Sequence, residues 1–182
     1  MGLKLVEIKR TNERLLVNMA VHYSKPKGFV GRNICYAVMW DNVYYGGIVG
    51  GSATLHLAGR HEYFGTTKAD LNNIVNNIFF HVEKVNNKYP CRWFTVAVLK
   101  GFREQIQLDW FTKYGDKVIG FESLVELPRT GDCYKKDKWD LVGETTGYTC
   151  KRTAGKGTDN WSGKRIWDTK NLRPKLVFCK KV

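Results

Sequence analysis

The sequence predicts an α+β fold: a single domain built on one mixed β-sheet flanked by helices. Three observations carry that expectation. Short apolar runs bounded by turn residues open and close the chain. One long stretch, Phe94–Tyr114, repeats apolar residues at spacings of three and four. A strand-like run lies on each side of it, at Ile74–Val82 and at residues 117–127.

Taken in order, residues 3–6 form an opening apolar stretch, and 15–21 read as a strand or a short helix. Residues 33–39 and 43–47 suit a β-hairpin around Trp40-Asp41-Asn42, because Asp-Asn is turn chemistry between apolar runs. Gly46, Gly47, Gly50 and Gly51 mark a bulge, a bend or a close backbone approach. Ile74–Val82 is rich in β-branched and aromatic residues and reads as a buried strand. Pro90 suits a first helical turn, and Phe94, Val98, Leu99, Phe102, Ile106 and Trp110 then make one helical stripe with Gly115 as its C-cap. Residues 117–127 alternate as a strand that Pro128 ends. A short helix fits 130–139 and an irregular strand 141–149. Arg165–Asp168 and residues 175–179 read as closing strands around a turn at 171–174, so that the basic segment 150–182 closes the sheet.

The chain has 182 residues, 43% of them hydrophobic, which is enough for a core. Its 30 Lys+Arg against 17 Asp+Glu give a charge of +13, with 14 of those cations and only 6 acids in residues 129–182. Such a surface attracts polyanions through counterion release, so DNA is the expected partner. No apolar run approaches the roughly 18 residues of a membrane span, and the first 14 residues lack a signal-peptide core. A soluble protein of the cytoplasm, with no membrane partner, is expected. The five cysteines form no CxxC pair and the four histidines show no ligand spacing, so reduced thiols and no metal are expected.

Several constellations can carry chemistry. His22-Tyr23-Ser24-Lys25-Pro26-Lys27-Gly28 packs a base, a phenol, a hydroxyl and two cations before a turn. It can activate a nucleophile, or serve only as a basic loop touching phosphate. Asn72, Asn73, Asn76 and Asn77 either cap turns or read the donor–acceptor edge of a ligand. Arg60 precedes Tyr63-Phe64-Gly65 and suits an anion clamp or a surface stack on a ring. Glu122 and Glu126 share a strand face. A carboxylate among apolar neighbours is costly unless paired or exposed, and has the raised pKa that takes a proton from an amine. Glu122, between the larger apolar residues, is the better candidate. Arg129, Cys133-Tyr134-Lys135-Lys136, Trp139, Lys151-Arg152, Trp161 and Trp167 interleave rings with cations, as stacking on an exposed base requires, although core packing explains some of those rings. Arg152-Thr153-Ala154-Gly155-Lys156-Gly157 fits R-x-x-G-x-G, but the residues after it do not start a helix, so it reads as a basic loop.

The order of short motifs over about residues 20–150 resembles a known family. It comprises His22-Tyr23-Ser24, a paired-strand Gly-Gly-Ile segment, Arg60 before an aromatic-Gly step, and Leu71-Asn72-Asn73-Ile74-Val75-Asn76-Asn77. Asp109-Trp110, Phe121-Glu122-Ser123-Leu124-Val125-Glu126, Gly131-Asp132-Cys133-Tyr134, Trp139 and Val142-Gly143-Glu144-Thr145-Thr146-Gly147 complete it. The pattern resembles the bacteriophage Mom-type DNA-modification proteins and the related Druantia defence-system A proteins. That resemblance implies a GNAT-like fold and transfer of a carbamoylmethyl-type group to the exocyclic amine of adenine in DNA. For a phage-encoded protein it implies protection from restriction within the host bacterial cytoplasm.

The active-site group it implies is His22, Tyr23, Ser24, Arg60, Asn76, Asn77, Glu122 and Tyr134. Lys25, Lys27 and the basic C-terminal segment, with Arg129, Lys136, Lys151 and Arg152, would hold DNA. Asn76 or Asn77 would read the base, Glu122 or His22 would take the proton, and Tyr23 or Tyr134 would act as acid. The cofactor is unknown: a GNAT-like fold implies acyl-CoA, but the Gly-rich pyrophosphate loop expected between Val82 and the helix is absent. The alternatives are a non-catalytic DNA-binding protein and a GNAT-like acyltransferase acting on RNA or protein amines.

Overall fold

The computed structural model describes residues 2–152, 165–168, 170 and 172–182, and the side chains of 2–148, 170 and 172–182. Strand β1 (Leu3–Ile8) pairs antiparallel with β2 (Asn33–Trp40), and β2 turns through Asp41 and Asn42 into β3 (Val43–Ser52). Both turn residues have positive φ, 47° and 66°, the geometry that a two-residue hairpin demands and that Asp and Asn tolerate. Between β1 and β2 lies helix α1 (Glu13–Val21), so the segment read as strand or helix is a helix. Asn12 caps it by accepting the Leu15 N–H at 3.3 Å, and the His22 backbone turns extended at its end. The sequence His22-Tyr23-Ser24 therefore leaves the helix as a loop.

After β3, a short helix α2 (Arg60–Phe64) and a 3₁₀ turn (Lys68–Asn73) lead into β4 (Ile74–Val82). Neither element was expected from the sequence. Asn72 and Asn73 belong to that turn: the Asn72 carbonyl accepts the Trp110 indole N–H at 3.0 Å, and the Asn73 amide donates to the Lys117 carbonyl at 2.8 Å. Helix α3 (Phe94–Tyr114) follows, with Phe94, Val98, Leu99, Phe102, Ile106 and Trp110 buried along one stripe and Gly115 ending it at φ 76°. Strand β5 (Gly120–Glu126), helix α4 (Asp132–Lys136) and β6 (Asp140–Glu144) come next. Strands β7 (Thr149–Arg152) and β8 (Arg165–Asp168) pair with each other as a separate ladder, and β9 (Lys175–Lys181) ends the chain.

The main sheet runs β1-β2-β3-β4-β5-β9-β6. Within it β4 and β5 are parallel, joined by α3, while the other described pairs are antiparallel. The sheet is thus mixed, as expected. The closing segment differs: β9 alone enters the sheet, between β5 and β6, whereas β8 pairs with β7. Alternation along the strands sorts the core into two layers. Ile34, Tyr36, Val38, Val75, Phe121 and Phe178 pack under α3 with Tyr134 of α4 and Trp139. On the other face Cys35, Val49 and Phe79 pack against Leu15 and Met19 of α1, and Val177 and Cys179 against Tyr63 and Phe64 of α2.

The ladder between β4 and β5 is short. Only Ile74 to Asn76 pair with Gly120 to Glu122, yet β4 continues to Val82 and β5 to Glu126. An extra residue, Ile78, interrupts the β3–β4 register, since Val49 faces Phe79 and Gly50 faces Asn77. A bulge of this kind bends its strand. Beyond Asn76 the two parallel strands separate.

Candidate functional site

The separating strands bound a cleft of about 1050 Å³. Residues Asn76 to Val82 line one wall and Ser123 to Glu126 the other. The loop after α1 contributes His22, Tyr23 and Ser24, and the segment from Pro128 to Tyr134 closes the remaining side. Gly131 caps α4 at φ 68°, where an added Cβ would also run into the Phe178 ring. Both facts confine this position to glycine, and with it the seating of Tyr134.

The floor is uncharged and fully engaged. The Tyr134 hydroxyl donates to Asn77 Oδ1 at 2.7 Å, and the Asn77 amide donates to the carbonyls of Val49 and Phe79 at 3.2 and 3.1 Å. Ser123 Oγ donates to the Asn77 carbonyl at 3.2 Å, bridging the two strands where they part. The Tyr134 ring stacks on Phe178, and burial raises its hydroxyl far above the usual phenol range. The adjacent Cys133 thiol is pushed up to about 11 by burial, so it stays protonated at neutral pH.

The mouth holds His22. His22 is buried against Phe79, with Tyr23 and His81 beside it. Its pKa is held down at about 4, first by burial and then by His81, with Arg129 adding to the depression and a hydrogen bond to the Phe80 backbone opposing it. Its Nδ1 accepts the Ser24 backbone N–H at 3.3 Å and lies 2.8 Å from Ser24 Oγ. A ring nitrogen that accepts a backbone N–H carries no proton, so the Ser24 hydroxyl donates to it. The result is a neutral imidazole aimed at a hydroxyl. The Arg129 guanidinium lies 3.6 Å above the Tyr23 ring centroid.

The sequence expectations divide on this geometry. His22, Tyr23, Ser24, Asn76, Asn77, Arg129 and Tyr134 converge on the cleft. Lys25 and Lys27 are exposed on the loop that follows. Glu122 and Arg60 do not fit their expected parts. Both are fully buried and paired, Arg60 Nη1 to Glu122 Oε2 at 3.0 Å, while Glu122 Oε1 accepts the Thr54 N–H at 2.6 Å and Arg60 also donates to the Thr54 carbonyl. Glu122 has no oxygen open to a substrate amine, and Arg60 is neither an anion clamp nor a surface residue. Asn77 is likewise spent on the fold. Lys136 is exposed on α4, its Nζ 5.9 Å above the Trp93 ring at the start of α3. Trp139 is buried, its indole N–H donated to Asp137 at 2.7 Å, and belongs to the core. The side chains of Lys151 and Arg152, the R-x-x-G-x-G stretch that Arg152 opens, Trp161 and the Trp167 side chain lie outside the described residues.

Sequence reasoning missed Thr54, Ser123 and His81. Thr54 sits in a loop with no motif, and only its contacts give it meaning. Ser123 carried a signal, a small hydroxyl on the strand face opposite Glu122. Among the described residues no group of three or more His, Cys, Asp or Glu could hold a metal, and no helix is long and apolar enough to cross a membrane.

No protein-family model matches the chain, and no curated protein matches it either. Solved structures do. A GNAT family acetyltransferase from Elizabethkingia anophelis with acetyl-CoA bound superposes with a TM-score of 0.58 at 10% identity, covering 100% of this chain and 99% of its own. The aminoglycoside acetyltransferase AAC(6′)-Ib in complex with coenzyme A gives 0.58 at 10% identity over 99% and 95%. An acetyl transferase from Salmonella typhimurium, which modifies the N-terminal serine of a 50S ribosomal subunit protein, gives 0.57 at 7% over 100% and 96%. The chain has the GNAT fold. That fold implies coenzyme A, and the residues before α3 do not fit its diphosphate. Residues 83–93 contain no glycine, form a hairpin turn at Asn86 and Asn87, and leave the Trp93 N-cap without a side-chain partner. A backbone cradle for a diphosphate needs the close approach that glycine allows.

Proposed function

We propose that this GNAT-fold chain is a transferase that adds a small group to the exocyclic amine of adenine in DNA, receiving the flipped base in the β4–β5 cleft. One observation carries the reading: the Asn76 amide lines an uncharged stretch of the cleft below a mouth where Arg129 stacks on Tyr23, on a chain of charge +13. A nucleobase needs a ring to stack on, neutral donors and acceptors along its edge, and cations for the phosphates beside it. Lys25, Lys27 and Arg129 supply the last. The resemblance of the ordered motifs to the Mom-type proteins supports the same acceptor and a carbamoylmethyl-type group, and through them a bacteriophage role in anti-restriction.

The acceptor side of the chemistry follows from the His22–Ser24 pair. An adenine amine is a poor nucleophile until its proton leaves. As its nitrogen bonds to the transferred group, that proton passes to Ser24 Oγ while the Ser24 hydroxyl proton passes to His22 Nδ1. Tyr23, at the mouth and held protonated by burial, gives its proton to the donor's leaving atom as the bond between that atom and the transferred group breaks.

A second reading keeps the fold and changes the acceptor to a protein or small-molecule amine, as the names of the aminoglycoside and ribosomal-protein enzymes suggest. The test is mass spectrometry of nucleosides digested from cellular DNA, with and without the protein expressed. The expected result is a deoxyadenosine of increased mass that is lost with His22→Ala. Unchanged nucleosides in cells holding folded protein would overturn the DNA reading, and competition by RNA or an acidic peptide would then sort the other acceptors.

A further inference from the structure

Asn76 differs from its neighbour Asn77 in what its amide lacks. It is 6% exposed and lines the cleft, and its Nδ2 donates to Thr54 Oγ1 at 3.0 Å. Its Oδ1 is buried and, among the described residues, has no hydrogen-bond partner. A buried carbonyl without a donor is costly, and such groups are rare unless a ligand or water satisfies them.

The orphan is held in place from behind. Thr54 is gripped at both backbone ends by the buried pair, its N–H by Glu122 and its carbonyl by Arg60. Glu122 stands opposite Asn76 in the β4–β5 register, at the last residue pair before the strands part. Two desolvated charges thus fix one hydroxyl, and that hydroxyl fixes one amide with its nitrogen turned away from use by a ligand. A buried ion pair is weak evidence for stability, but it does define a geometry.

From this arrangement we infer that Asn76 Oδ1 is the specificity contact of the cleft, accepting an N–H from the substrate's amine and disfavouring a carbonyl at the same position. Arg60, Glu122 and Thr54 are positioning residues for it. Among bases, the contact selects those with an exocyclic amine at the Watson–Crick edge over those with a carbonyl there. The inference rests on the reading of a base-receiving cleft.

The test uses single-stranded oligonucleotides of one sequence that differ at a single position: adenine, hypoxanthine (a carbonyl in place of the amine) or an abasic site. Wild-type protein should bind the adenine strand about fivefold more tightly than the hypoxanthine strand. The abasic strand should bind weakest, with the same salt dependence. Asn76→Leu should erase the adenine preference, and Thr54→Val should reduce it while leaving abasic binding unchanged. Equal or tighter binding of hypoxanthine, with both above the abasic strand, overturns the role of Asn76 and leaves the base-receiving cleft standing. Adenine binding no better than abasic overturns both. A preference that survives both substitutions also removes Asn76 from the role, and the Thr54 variant decides the matter if the Leu variant fails to fold.

Discussion

The pKa of His22 makes the state of the candidate base measurable without any substrate. In the folded protein the imidazole is held at about 4, mainly by burial and then by His81, against 6.5 for an unperturbed histidine. Between those values the unfolded chain carries a proton on His22 that the folded chain does not. Stability therefore rises with pH across the window, and is lost as pH falls from 6.5 toward 4. At about 1.4 kcal/mol per pKa unit, the full loss is about 3 kcal/mol. His22→Gln removes the titration while leaving the other ionisable groups in place. Urea unfolding of both proteins at pH 7.0, 6.0, 5.0 and 4.5 gives the difference at each pH. The wild type should lose stability relative to the variant by an amount growing to about 2–3 kcal/mol at the acid end. A flat difference would mean that His22 titrates normally in the fold. A difference of the opposite sign would mean a charged imidazole, which could not take a proton from Ser24. The first result would refute the burial-driven depression of His22, and the second the base assignment.

Three further outcomes follow from the same contacts. Arg60→Met should cost about 3–5 kcal/mol by stranding Glu122, while the double variant with Glu122→Leu should recover much of it, read by chemical denaturation. Tyr134→Phe should cost about 1–3 kcal/mol, because Asn77 Oδ1 loses its donor inside the floor. In the nucleoside assay its modified deoxyadenosine should fall as well. Arg129→Ala should weaken single-stranded DNA binding and lower the magnitude of its log–log salt slope by about one. An unchanged slope would place Arg129 outside the phosphate path.

The fold was legible in the chain wherever one local rule governed a whole element. The α3 stripe is an example: every apolar residue read at helical spacing from Phe94 to Trp110 is buried, because a long helix against a sheet has a single face to hide. The hairpin at Asp41-Asn42 and the bounds of β4 were equally plain. What escaped was set by pairing at a distance. Arg165–Asp168 has the composition of a sheet strand, and no local signal says that its partner is Thr149–Arg152 instead of the main sheet. Helix α2 is five residues long between glycines, too short for periodicity to register.

For the site, composition identified most of the groups but could not assign their parts, and the adjacent asparagines show why. Asn76 and Asn77 are chemically identical in sequence, yet consecutive strand residues point to opposite faces. Asn77 falls on the side of α4, where Tyr134 and two carbonyls consume its amide. Asn76 falls on the side of Glu122, where Thr54 takes its nitrogen and leaves its oxygen orphaned. The same alternation turned Glu122 from a candidate base into half of a buried ion pair, because its face is the one that Arg60 reaches from α2. A strand that parts from its neighbour after three pairs gives its next residues cleft walls instead of ladder partners. Function here is decided by which side of that point, and which face of the strand, each side chain occupies.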